Sequence, residues 1–195
     1  MTTTKPDFLE SLRSEWRRFG RSPAASGAAR RLAANYPDLS LDPHGDLCDV
    51  VTLLESRGGR NVLERAAIVR ALLQEASDPY IHRALLQTLL PGVVSVCRQL
   101  RFGEGIIDEP RDTLAMAISL LSELLVDWAG QLRQYAAPDL LSALRGRLRR
   151  WLLKEKEALT HVSHYDAVEH ADNESSPLLT RLESLRGGEH DRLVR

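Results

Sequence analysis

The chain has 195 residues, enough for one hydrophobic core with an extension and short for two independent domains. Hydrophobic residues make up 43 % and charged residues 27 %, a balance that excludes a fibrous or wholly disordered chain. A formal net charge of −1 excludes any case for a polyanionic partner from bulk electrostatics; only the local distribution of charge can argue for one.

Pro6 suits a first helical turn, and Phe8, Leu12, Trp16 and Phe19 share one face, so the spacing predicts a helix over 6–19. Gly20 to Gly27, with Pro23, reads as a turn region. Ala28 to Tyr36 reads as a short helix with Leu32 and Tyr36 on one side, stopped by Pro37. Asp38 to Gly45 is a loop. A third helix from Asp46 to Arg57 turns Leu47, Val50, Val51 and Leu54 inward and ends at Gly58 and Gly59. Asn61 is placed to cap a helix from Val62 to Ala76 with the stripe Leu63, Ala66, Ala67, Val69, Leu72 and Leu73. Ser77-Asp78-Pro79 is a cap followed by a first-turn proline. The helix it opens carries Ile81, Leu85, Leu86, Leu89 and Leu90. The spacing resumes beyond Pro91 at Val93, Val94, Cys97 and Leu100, which favours a kink over a break.

Phe102 to Ile107 is a glycine-containing loop. Asp108-Glu109-Pro110 opens a strongly apolar helix to about Trp128, with the face Leu114, Ile118, Leu121, Leu125 and Trp128. Ala117 and Leu124 widen that face enough for packing on more than one side, the mark of a central helix. Ala129 to Ala137 is a linker. Pro138 then starts a helix with the apolar seam Leu141, Leu144, Leu148 and Trp151. From Thr160 the periodicity weakens, so a flexible acidic tail is expected, interrupted by a short helix around Leu178 to Leu185. No strand pattern and no fixed-period repeat survives. The expected fold class is all-α, an orthogonal multi-helix bundle with that C-terminal tail.

The longest apolar run, Leu114 to Trp128, is interrupted by Glu123 and Asp127 and falls short of the roughly 20 residues that span a bilayer. The N-terminal MTTTKPDFLESLRSEW lacks the apolar region of a signal peptide. Cys48 and Cys97 sit in apolar helical patterns, as small core residues do, and there is no CxxC. A soluble cytoplasmic protein without a membrane partner is expected.

Little in the chain carries covalent chemistry. There is no GxSxG, and Ser122 beside Glu123 reads as a pair of helix-surface neighbours. Gly58-Gly59 and Gly103-Glu104-Gly105 lack the GK[ST] of a phosphate loop and follow no strand. In HVSHYDAVEH, His161 and His164 could share a helix face, with His170, Asp166 and Glu169 nearby, but no second ligand pair closes a site. No catalytic residue, metal or cofactor is expected, and the chain is not read as an enzyme. Nucleic-acid binding is the remaining chemistry. The helix from Pro138 carries Arg145, Arg147, Arg149, Arg150, Lys154 and Lys156, cations that can neutralise phosphates. Trp151 continues the leucine seam and reads as a core anchor before a base-stacking ring, as do Trp16 and Trp128. Arginine supplies almost all the positive charge, so arginine enrichment as such carries no weight; the clustering on one helix does.

The order HRALLQTLLPGVVSVCRQL, then a loop, then DEPRDTLAMAISLLSELLVDW, then a linker and PDLLSALRGRLRRWLLKEKE resembles the second region of sigma-70-type transcription initiation factors. The resemblance implies a middle helix that docks on RNA polymerase and a last helix that engages promoter DNA. It places polymerase contacts at Asp112, Met116 and Glu123 and DNA contacts at the six cations of the last helix. Asp112 matches the first acid of the family's docking helix, whereas Thr113, Met116 and Ala117 depart from it and Glu123 stands in place of an aromatic. It further implies a helical extension over 1–77, the sigma-like unit over 78–158 and the tail over 159–195, with no room for the family's second DNA-binding region. The expected function is a sigma-like, DNA-binding transcription regulator. The other expectation these helices allow is a helical protein–protein interaction module without DNA binding.

Overall fold

The computed structural model describes residues 8–56, 61–104 and 110–174, and every regular element among them is helical. Seven α-helices follow one another: α1 (Phe8–Gly20), α2 (Pro23–Asn35), α3 (Leu47–Glu55), α4 (Val62–Gln74), α5 (Pro79–Glu104), α6 (Pro110–Trp128) and α7 (Ala136–Glu174). A single 3-10 turn, Pro37–Leu39, follows α2. The chain divides after Arg150 into two compact units. The first is an all-α packed bundle; the second, where described, is helical through Glu174.

Short helices hold where their first turns are capped. The Asp46 carboxylate accepts from the Asp49 amide at 3.0 Å while Asp49 accepts from the Asp46 amide at 2.9 Å, a reciprocal box that starts α3. Asn61 and Glu64 do the same for α4 at 2.9 and 3.3 Å. Asp78 Oδ1 accepts from the amides of Tyr80 and Ile81 at 2.8 and 3.3 Å and opens α5. The start of α2 departs from expectation. Ser22 accepts from the Ala25 amide at 3.3 Å and Pro23 occupies the first helical position, so the helix begins at Pro23 and Gly27 lies inside it. A serine cap followed by proline makes a helix start of what reads as turn residues.

The hub is α5. It packs on α1, α2, α3, α4 and α6. It buries Ile81, Ala84, Leu85, Leu89, Leu90, Val93, Val96, Cys97 and Leu100. The helix continues through an exposed Pro91 without breaking and runs on over Phe102 to Glu104, where a loop was expected. On α6, Leu114, Ala117, Leu121, Leu124 and Leu125 are buried, and Ile118 and Trp128 half-buried. On α4 the buried stripe is Ile68, Val69, Ala71, Leu72 and Leu73, and Leu63 is 80 % exposed instead of facing the core. The first turn of α4 projects beyond the core that the rest of the helix lines. Cys48 and Cys97 are buried, as expected.

Polar contacts tie the end of α2 to the α4–α5 turn. The Tyr36 hydroxyl donates to Gln74 Oε1 at 2.9 Å, Asn35 Nδ2 donates to Glu75 Oε1 at 3.1 Å, and Arg31 pairs with Asp78. At the end of α6, Gly130 adopts φ +74 and its amide donates to the Leu73 carbonyl at 3.4 Å. Glycine suits that left-handed turn because a Cβ would be strained there.

Two boundaries near the C-terminus also shift. Helix α7 begins at Ala136, two residues before Pro138, which falls in the first turn where its missing N–H has no partner to lose. The backbone is helical to Glu174, beyond Thr160 where the periodicity weakens. No Gly or Pro lies between 160 and 174 to interrupt the hydrogen-bond ladder, and weak amphipathicity alone does not end a helix. The helix expected around Leu178 to Leu185, and Gly58-Gly59, lie outside the described residues.

One buried group is left incomplete. Thr113 is fully buried and among the described residues its hydroxyl has no hydrogen-bond partner, although its backbone carbonyl accepts from the Cys97 thiol at 3.9 Å. An unpaired buried hydroxyl is destabilising, and valine reproduces the shape without the polar atom. Thr113→Val therefore raises the urea midpoint, with a gain of about 1 kcal/mol in unfolding free energy. A drop in the midpoint would show that the hydroxyl is satisfied in solution.

Candidate functional site

The candidate site is built on α7, and its leucines fix which way the helix faces. Leu140, Leu144 and Leu148 are fully buried, each one turn from the next. Leu141, placed on the seam by the sequence, is half-buried and reaches toward α5. A Cβ added at Gly92 would come within 2.5 Å of Leu141 Cδ1, so the bare glycine makes room for it. In the second unit Trp151 is half-buried and Leu152 buried.

With the leucines turned in, Arg145, Arg149 and Arg150 are exposed. Arg145 and Arg149 lie one turn apart on one strip, and Arg150 sits about 100° further round. Lys154 and Lys156 are exposed in the second unit. Arg147 behaves differently. It is half-buried and turned toward α6, where its Nη2 donates to Asp127 Oδ2 at 2.8 Å and its Nη1 lies 3.6 Å from Glu123 Oε2. Two carboxylates one turn apart thus bracket one guanidinium. The six predicted cations do not form one outward row: at least one is matched by acids.

The α6 edge named by the sequence contains Asp112, exposed, and Met116, half-buried. Glu123 is exposed but already engages Arg147, so a predicted polymerase contact and a predicted DNA contact meet each other. Ser119, Ser122, Glu123, Val126 and Asp127 line a shallow open depression of about 300 Å³.

At that depression is a pair the sequence reading missed. His82 of α5 lies with Nε2 2.9 Å from Ser122 Oγ of α6. Burial pushes the His82 imidazole below its usual value, and a hydrogen bond with the backbone of Ala76 partly opposes the shift. A serine beside a histidine can be a nucleophile with its base. Here Ser122 lies in the body of α6, where neighbouring amides are committed to the helix ladder and none is left to hold an oxyanion. The pair links two helices. Its residues are 40 apart in the chain, and only the packing of α6 on α5 brings them together.

Trp128 is not presented as an open stacking platform, because the Arg133 guanidinium lies 3.5 Å from its ring centroid. Gln131 Oε1 holds Arg133 in turn, at 3.1 Å from Nη2. Among the described residues no group of three or more His, Cys, Asp or Glu is arranged to hold a metal ion. The side chains of His161, His164, Asp166, Glu169 and His170 lie outside the described residues. Among the described residues no helix is long and apolar enough to cross a membrane. No protein-family model matches the chain, and no curated protein or solved structure is significantly similar to it.

The buried histidine makes stability depend on pH. The imidazole titrates near 6.5 when exposed and lower in the folded chain, so the unfolded state binds the proton more tightly. The contribution is complete above pH 6.5 and falls as the pH drops through the lowered folded value. In urea unfolding across this range, His82→Gln loses that part of the acid-side decline. Equal declines in both proteins would show that His82 is not desolvated.

Proposed function

We propose that this chain is a sigma-like, non-enzymatic DNA-binding regulator of transcription that meets phosphates through the outward side of α7. The supporting observation is the division of labour within one helix: Leu140, Leu144 and Leu148 are fully buried while Arg145, Arg149 and Arg150 are exposed. Packing fixes the rotation of the helix, so the backbone that carries the arginines need not reorganise when a ligand arrives and only their side chains are ordered. Guanidinium stays charged at all physiological pH and matches the spacing of phosphate oxygens. Each phosphate it neutralises releases a counterion. The transcriptional part rests on the resemblance of 82–157 to sigma-70-type region 2. The contact with RNA polymerase is proposed at Asp112 and Met116, since Glu123 is engaged with Arg147.

A second reading, a helical interaction module without DNA, is favoured by large apolar side chains in the open. Val62 and Leu63 on the first turn of α4 are 70 % and 80 % exposed, and Leu132 after α6 is 82 % exposed. A stoichiometric protein partner that resists nuclease and is lost in Leu63→Asp would favour it.

The DNA reading is tested by fluorescence anisotropy with labelled duplex and single-stranded DNA over a salt series. Wild type binds at low salt and weakens steeply as salt rises. R145Q/R149Q/R150Q flattens the log–log salt slope by about 2.7, at about 0.9 per lost phosphate contact. Its unfolding free energy changes by less than about 0.5 kcal/mol per site, as for other exposed positions. Absence of binding by wild type at low salt sinks the DNA role.

A further inference from the structure

We infer that Glu123 and Asp127 act as a built-in substitute for phosphate and withhold Arg147 from DNA; this inference rests on the DNA-binding reading of α7. Arg147 lies between Arg145 and Arg149 in sequence, yet it faces α6 while they face solvent. Its two terminal nitrogens address two different carboxylates, Asp127 at 2.8 Å and Glu123 at 3.6 Å. The same two terminal nitrogens are the ones a guanidinium offers to phosphate oxygens.

The contact is made to be displaced. The acid side chains are 60 % and 53 % exposed and the arginine 31 %, so water and a DNA backbone reach all three. Exposed pairs of this kind contribute little to folding, because solvent screens them. Two carboxylates against one guanidinium leave a local charge of −1, by the count +1 − 2, on the flank of α7 that lies nearer Arg150 than Arg145 and Arg149. That charge opposes an approaching polyanion within a Debye length of about 10 Å at moderate salt. Arg147 is therefore a latent phosphate contact, and its two acids set the affinity of the whole face. Any change on α6 that draws Glu123 or Asp127 away, such as the docking of a basic partner segment, would release it.

The experiment measures binding of a short fluorescein-labelled duplex of mixed sequence by the full chain across a salt series. E123Q/D127N binds about threefold to tenfold more tightly at low salt, and its log–log slope steepens by about 0.9. R147Q alone keeps the wild-type slope. E123Q/D127N/R147Q returns to the wild-type slope, which separates release of Arg147 from simple removal of negative charge. An unchanged slope in E123Q/D127N overturns the inference, as does a steeper slope that persists in the triple variant. Thermal melting accompanies each measurement. If the double variant does not fold, D127N alone, which removes the 2.8 Å contact, carries the test: part of the steepening supports the inference and none overturns it. Wild-type binding that depends on Arg145, Arg149 and Arg150 but ignores both acids sinks only this inference. Absence of wild-type binding sinks the DNA reading and the inference together.

Discussion

Burial around α5 is the constraint on which the rest of the first unit depends. This helix offers apolar side chains on nearly every side, and α1, α2, α3, α4 and α6 all pack on it. Each fully buried aliphatic side chain contributes about 1.5–3 kcal/mol against exposure, so losing this helix would remove the ground on which five others rest. Four of the neighbours are short: α1, α2 and α4 have 13 residues each and α3 has 9. Helices of that length are marginal alone and persist through packing and capping. Capping boxes at Asp46 and Asn61 therefore matter beyond their own hydrogen bonds, since they let short segments keep their faces toward α5.

On α7, packing and charge act on the same helix with different reach. The leucine row sets rotation through short-range contact. The exposed guanidiniums then project wherever that rotation leaves them, over more than one strip of the surface. Arg147 emerges on the side of α6, and two acids spaced one turn apart receive it. A helix with as many cations as this one is therefore less positive in place than in sequence. A chain of net charge −1 nevertheless leaves Arg145, Arg149 and Arg150 exposed on this helix.

The fold was legible in the sequence wherever a cap preceded an apolar period. Asp46, Asn61 and Ser77-Asp78-Pro79 each marked a helix start, and Pro110 opened α6. The start of α2 was not legible in the same way, because Ser22-Pro23 is a turn signal and a helix signal at once. Periodicity alone also misjudged Leu63, which has the spacing of a core residue but is 80 % exposed. In the candidate site, the burial of Leu144 and Leu148 and the exposure of Arg145, Arg149 and Arg150 could be read from the period of the helix. The engagement of Arg147 could not. Glu123 and Asp127 are visibly one turn apart, but nothing in either segment says that α7 passes beside them.

The sequence by itself determined the helical class, most of the helix starts and the inward turn of Leu144 and Leu148 on α7. These follow from bonds and periods that span a few residues. Tertiary structure decided which helix is the hub, that Arg147 meets the acids of α6 and that His82 meets Ser122, 40 residues away. Such outcomes depend on how helices rotate and lie against one another. That is set by the collective burial of many side chains, and no local stretch encodes it.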